Sequence, residues 1–171
     1  PDEDGDVERI VVGQTSNESY NTHSMIRIYN TSGDVEHQAK YQFGDESGWY
    51  SAKVSDVMGD ATPEITVVGW SYDSALGYNK AWAGVLTYDG SSLDIVHTKS
   101  WTVGSNRTEL FTQDTYDYTS DGKEEMIVGG LAEGYGEAIV RVMDVTDTGI
   151  NGLDSDSWGL GNDRDRIFSI Q

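Results

Sequence analysis

The sequence predicts an all-β chain in which one unit is repeated three times. Three observations predict it. An acidic turn followed by a β-branched run recurs along the chain, short alternating runs end in Asn-, Asp- and Gly-rich turns, and no stretch carries the 3.6-residue apolar period of an amphipathic helix. The 20 glycines against 2 prolines among 171 residues fit a turn-dense chain.

The acidic landmark is fullest at Asp117-Tyr118-Thr119-Ser120-Asp121-Gly122-Lys123-Glu124-Glu125-Met126-Ile127-Val128-Gly129. It has the same plan at Asp56-Val57-Met58-Gly59-Asp60-Ala61-Thr62-Pro63-Glu64-Ile65-Thr66-Val67-Val68-Gly69. Near the start, Asp2-Glu3-Asp4-Gly5-Asp6-Val7-Glu8-Arg9-Ile10-Val11-Val12-Gly13 repeats it one residue shorter. The first aspartates of the three copies, Asp2, Asp56 and Asp117, stand at nearly even intervals. They divide a single domain, 1–171, into repeats of about 1–55, 56–116 and 117–171.

A second landmark recurs out of phase with the first. Ser100-Trp101 through Arg107 matches Ser157-Trp158 through Arg164, one repeat further on, and Leu110-Phe111-Thr112 then matches Ile167-Phe168-Ser169. Trp49-Tyr50-Ser51, after Phe43-Gly44, fills the same slot in the first unit. Between landmarks lie the alternating strands: 25–29 before the turn 30–34, 83–88 before Asp89-Gly90, and 138–143 before the turn at 147–149. Each unit thus holds about four antiparallel strands, the size of one blade of a β-propeller. A lone blade leaves both faces wet, so blades stack face to face, and most Trp, Tyr, Val and Ile belong to that packing.

Three blades are fewer than the four to eight that close a propeller, so completion by another copy or by a longer chain is expected. The phase of the repeat favours complementary ends. Counting from Asp117 through Gln171 and on to Asp2 of a following copy gives an interval that falls between the two seen within the chain. The C-terminal strand of one copy would then complement the N-terminal loop of another.

With 30 Asp and Glu against 11 Lys and Arg, the formal charge is −19, which argues against nucleic acid and anionic membranes and favours cations as partners. No apolar run is long enough to insert in a membrane as a helix. The absence of cysteine excludes disulfides, thiolate metal sites and a cysteine nucleophile. Asn17, Asn30 and Asn106 each head an N-glycosylation triplet, which points to an extracellular or cell-surface chain.

Calcium takes six to eight oxygens at about 2.3–2.6 Å. Acids at alternating positions of a tight loop turn oxygens inward. Asp117, Thr119, Asp121 and Glu125 have that spacing, with the Lys123 carbonyl as a further ligand. Asp56, Asp60 and Glu64 offer fewer side-chain oxygens, with Met58 where another would stand, and Asp2, Asp4, Asp6 and Glu8 offer ample charge in an altered frame. The third loop is therefore the fullest calcium site by sequence.

These loops, each before an Ile- and Val-rich strand, resemble the FG-GAP or VCBS-type repeat of integrin α-subunit propellers and many secreted microbial proteins. The resemblance spans the chain three times, and Phe43-Gly44 sits where the family's Phe-Gly lies. It implies a secreted or cell-surface propeller with loop-bound calcium and a role in adhesion or recognition, but no one activity.

The search for catalytic motifs finds no nucleophile elbow, no His-Glu-x-x-His and no phosphate-cradling loop, and His23, His37 and His97 lie far apart. The sequence is thus expected to encode a non-catalytic, extracellular, structural or adhesive calcium-binding module that associates with copies of itself. One alternative is a carbohydrate- or protein-binding propeller, with Trp70, Tyr72, Tyr78, Trp82 and Tyr135 as candidate stacking rings. A second is a polysaccharide-degrading enzyme on the same scaffold.

Overall fold

The computed structural model describes residues 9–16, 21–132, 136–159 and 165–170. Among them are eleven strands and no helix. They are β1 (Arg9–Ser16), β2 (Thr22–Tyr29), β3 (Val35–Tyr41), β4 (Glu46–Ser55), β5 (Glu64–Asp73), β6 (Tyr78–Tyr88), β7 (Leu93–Trp101), β8 (Thr108–Tyr116), β9 (Glu125–Ala132), β10 (Glu137–Thr146) and β11 (Gly149–Trp158).

The strands form three antiparallel meanders: β1-β2-β3, β4-β5-β6-β7 and β8-β9-β10-β11. The second and third sheets have the four strands expected. The first has three among the described residues, because β1, which follows the first acidic loop, is its edge. The sheets are out of phase with the sequence repeat by one strand, since β4 and β8 precede their acidic loops yet pair with the strands that follow them.

The sheets stack face to face with the second in the middle. On β5 and β6, Ile65, Val67, Trp82 and Leu86 pack toward the first sheet, against Ile26 and Ile28. Val68, Ala81, Ala83 and Val85 pack toward the third sheet, against Leu110, Met126, Val128 and Ile139. A strand covered on both faces favours apolar residues on both, which is why Ile65-Thr66-Val67-Val68-Gly69-Trp70 is a nearly continuous apolar run, its one polar member, Thr66, bonding its hydroxyl to the Lys53 carbonyl. At about 25 cal/mol per Å² of apolar surface, each fully buried Ile or Leu in these layers contributes roughly 1.5–3 kcal/mol.

The first strands of the second and third sheets share a bulge. β4 skips Tyr50 between Trp49 and Ser51, and β8 skips Phe111 between Leu110 and Thr112. Opposite the bulges stand Gly69 and Gly130. A Cβ at Gly69 would overlap the Gly48 carbonyl oxygen, and one at Gly130 the Glu109 carbonyl oxygen. Glycine is required there because the neighbouring backbone crosses too closely for any side chain.

Side chains tie the second and third sheets. The Gln113 amide donates to the carbonyls of Thr66 (2.8 Å) and Ser51 (3.2 Å). Arg107 grips the buried Glu109 carboxylate through Nε (2.8 Å) and Nη2 (3.0 Å), and Asn79 donates to the same group.

Candidate metal centre

Two acidic loops, 56–63 and 117–124, connect the first two strands of the second and third sheets. They are copies in backbone as well as sequence. Asp56 Oδ1 accepts the amides of Gly59 (2.7 Å) and Asp60 (3.1 Å), and its Oδ2 accepts Ala61 (3.0 Å). In the other loop, Asp117 accepts the amides of Asp121 and Gly122, both at 3.0 Å. Asp60 then accepts Thr62 N–H (2.9 Å), as Asp121 accepts Lys123 N–H (3.0 Å). Gly59 and Ala61 have φ of 75° and 70°, and Ser120 and Gly122 have 60° and 91°. Each loop so places two residues in the left-handed region at the same two positions.

Each loop closes on a buried glutamate. Glu64 Oε2 accepts the amides of Val57 (3.0 Å) and Met58 (3.1 Å). Glu125 Oε2 accepts those of Tyr118 (2.6 Å) and Thr119 (3.2 Å). Burial pushes the Glu64 carboxyl above the ordinary range; the Asp60 and Asp56 charges add to the rise, against the pull of the two amides.

At the third position the loops differ in a hydroxyl. Thr119 Oγ1 donates to Glu125 Oε1 at 3.1 Å, where the other loop has Met58. The Thr119 hydroxyl is therefore turned to the glutamate. With Met58, no hydroxyl engages Glu64 in this way, and one oxygen each from Asp56, Asp60 and Glu64 lie within 4.8 Å of one another. Among the described residues this is the one group of three acids that converges so. Oxygens at 2.3–2.6 Å from one ion stand at most about 5 Å apart, so the three can share a calcium ion, and as hard, charged donors they suit it. The sequence points to 117–125 as the fuller site, by counting oxygens. The geometry instead brings together 56, 60 and 64, and in the other loop the Thr119 oxygen bonds to Glu125.

The other sequence-derived sites fall as follows. Asp2, Asp4, Asp6, Glu8 and Asn17 lie outside the described residues. Asn30 opens the turn between β2 and β3, its side chain accepting Asp34 N–H at 3.0 Å, and Asn106 lies in the loop between β7 and β8. The Lys123 ammonium reaches the Val145 carbonyl (2.8 Å) and the Asp144 carboxylate, and its methylenes lie beneath Gly59. Glu124 accepts bonds from Ser55 and Thr115, so the two loops brace each other across the sheets. Sequence reasoning did not single out Lys123 as a side-chain tie or Glu124 at all, since Asp144, Val145 and Ser55 are brought to them only by the fold. Trp82 is 3% exposed and Trp70 8%, so neither presents a ring face to a sugar; Tyr135 lies outside the described residues.

No family model matches the chain, and no curated protein matches it.

Proposed function

We propose that this chain is a non-catalytic, calcium-binding structural or adhesive module of the β-propeller type, acting outside the cell. The observation that carries the reading is the convergence of Asp56, Asp60 and Glu64 in a loop whose frame recurs at 117–125. Three carboxylates held this closely repel one another, and a divalent cation relieves that repulsion. Sheets stacked face to face, each four-stranded one with the acidic turn between its first two strands, support the blade reading. The glycosylation triplets and the −19 charge support an extracellular setting. Bound calcium would neutralise the loop and stiffen the edge where the second and third sheets brace each other.

The test is thermal unfolding with excess calcium, with magnesium and with chelator. Calcium at about 100 times its Kd stabilises by about 2.7 kcal/mol, which raises Tm by about 5–10 °C in a chain of this size. The rise should vanish in Asp60→Asn, whose side chain is exposed and whose loss leaves the core intact. A Tm unmoved by calcium would reject the reading.

A further inference from the structure

Four cations of this acidic chain each hold a carboxylate: Lys53 holds Asp114, Lys80 holds Asp73, Arg107 holds Glu109 and Lys123 holds Asp144. Arg141 and Lys99 hold none among the described residues. Both face the seam between the second and third sheets. Lys99 Nζ donates across it to the Ile150 carbonyl at 2.8 Å. The Arg141 guanidinium lies 5.0 Å from the centroid of the Trp101 ring and makes no hydrogen bond or ion pair with the described residues. Burial holds its pKa below the ordinary guanidinium value, with no carboxylate beside it to restore that value.

The register places these groups on one face. On β7, Lys99 and Trp101 stand opposite Ala83 and Ala81, which pack toward the third sheet. On β10, Arg141 alternates with Ile139 and Met143, which pack toward the second. On β11, Ser155 stands opposite Arg141 and Ser157 opposite Ile139, so both serines share the face of the guanidinium. Asp154 and Asp156 alternate to the other face, opposite Val142 and Val140. The strand thus carries acids and hydroxyls in strict alternation, and it is the hydroxyls that stand beside the cation.

A recess of about 210 Å³ opens at this place, lined by Val103, Ile139, Arg141, Ser155 and Ser157, and bordered by Asp156. Asp156 Oδ1 accepts the Ser157 N–H at 2.8 Å, as Asp154 Oδ1 accepts the Ser155 N–H at 2.8 Å. The two serine hydroxyls engage no described residue. A second recess, of about 220 Å³, continues past Arg141 and Ser155 along Gly152 and Leu153.

A guanidinium drawn from water without an acceptor is costly, and an anion that accepts from it removes the cost. A guanidinium stacked on an aromatic face keeps its in-plane donors free, and the planar fork matches a carboxylate with two parallel N–H···O bonds. Two free hydroxyls on the neighbouring strand suit a hydroxylated body, and Val103 and Ile139 give that body an apolar wall. The net charge of −19 opposes a dianion or a polyanion more than a single charge. We propose that this recess binds a small hydroxylated monocarboxylate, a hydroxy acid or a single sugar acid, with Arg141 holding the carboxylate and Ser155 and Ser157 holding the hydroxyls. Lys99 adds a second positive charge to the seam. None of the acids of loops 56–63 and 117–124 lines the recess, so the site stands apart from the calcium reading.

The experiment is calorimetric titration of the metal-free full chain with sodium lactate, sodium glucuronate, glucose and sodium sulfate at matched ionic strength. The second readout is the indole N–H resonance of Trp101, assigned by its loss in Trp101→Phe, because that N–H is buried without a partner beside the guanidinium. At least one of the two acids should bind with a Kd of about 1 mM or tighter and shift that resonance. The tighter of the two names the source, a free hydroxy acid or a sugar acid. Glucose should give no heat, and sulfate should bind about tenfold more weakly or not at all. Arg141→Lys keeps the charge but loses the fork, and should weaken binding about tenfold. Ser155→Ala, at an exposed position, should weaken it about fivefold with Tm unchanged. If Arg141→Lys does not fold, Ser155→Ala and Ser157→Ala decide the matter. Absence of binding by both acids, an affinity indifferent to these substitutions, or sulfate binding as tightly as the acids would overturn the proposal.

Discussion

Ala61 and Ser120 hold left-handed backbone conformations in loops whose counterparts have Gly122 and Gly59 at the same positions. A Cβ in that region costs about 1–2 kcal/mol, partly offset by the entropy glycine loses on folding. Ala61→Gly and Ser120→Gly should therefore each stabilise the chain by about 0.5–1 kcal/mol, measured by urea unfolding. An unchanged midpoint in both would show that the loops relax without strain. The strain has a use if the loop frame serves a cation, because it fixes where Asp56 and Asp60 point. The positions of the acids were legible in the sequence, whereas their convergence was not. The two loops share one frame, yet among the described residues three acids converge only at 56, 60 and 64. Spacing alone counts Thr119 as a ligand; the fold turns it toward Glu125.

At the scale of strands, the same glycine has two fates, crowded by backbone at 69 and 130 and open at 13. Gly69→Val and Gly130→Val force a side chain into a crossing backbone and should each destabilise by about 3 kcal/mol or more. The mutants should show a large loss of Tm or fail to fold, whereas a loss under about 1 kcal/mol would contradict the close crossing. Gln113→Leu keeps the volume but leaves the Thr66 and Ser51 carbonyls without their donor, at a cost of about 1–3 kcal/mol by chemical denaturation. Strands β2, β6 and β10 are plain in the sequence because their alternation shows half-buried or sandwiched faces. The order within a sheet is also legible, a strand before the acidic loop, one after it, the alternating strand and one leading to Ser-Trp, although repeat bounds drawn at 56 and 117 fall inside the sheets. β11 is mostly polar and exposed, and forms because the edge of β10 needs a hydrogen-bonded partner. Its alternation carries no apolar signal, and only the match of Trp158 to Trp101 betrays it.

For the whole molecule, carboxylates set opposing pH dependences. Asp89 is held down to about 2 by the amides of Ser92 and Ser91, and the hydrogen bond from Lys53 lowers Asp114. Hydrogen bonds from Ser74 and Lys80 lower Asp45 and Asp73. Groups lowered by folding add stability that is full above the usual 3.8 and lost as pH falls through their folded values. Glu64 acts in the opposite sense. Its carboxyl is raised by burial, so the folded state holds the proton more tightly than the unfolded one. Ionising it destabilises the fold, beginning as pH rises through the usual 4.5 and complete above its folded value. Without calcium, Tm should therefore rise as pH falls through the raised Glu64 value toward 4.5, then drop below about 4 as the aspartates protonate. Saturating calcium, which favours ionised Glu64, should remove the upper limb and leave Tm flat above 4.5. Glu64→Gln should flatten the same limb without calcium, because the amide cannot ionise and its oxygen can still accept Val57 and Met58. A limb that persists in Glu64→Gln would assign it to general repulsion among the 30 acids rather than to this loop. Salt separates the two sources, since about 1 M salt screens exposed charges within about 3 Å and would abolish a limb of diffuse origin while sparing one set by a buried carboxyl.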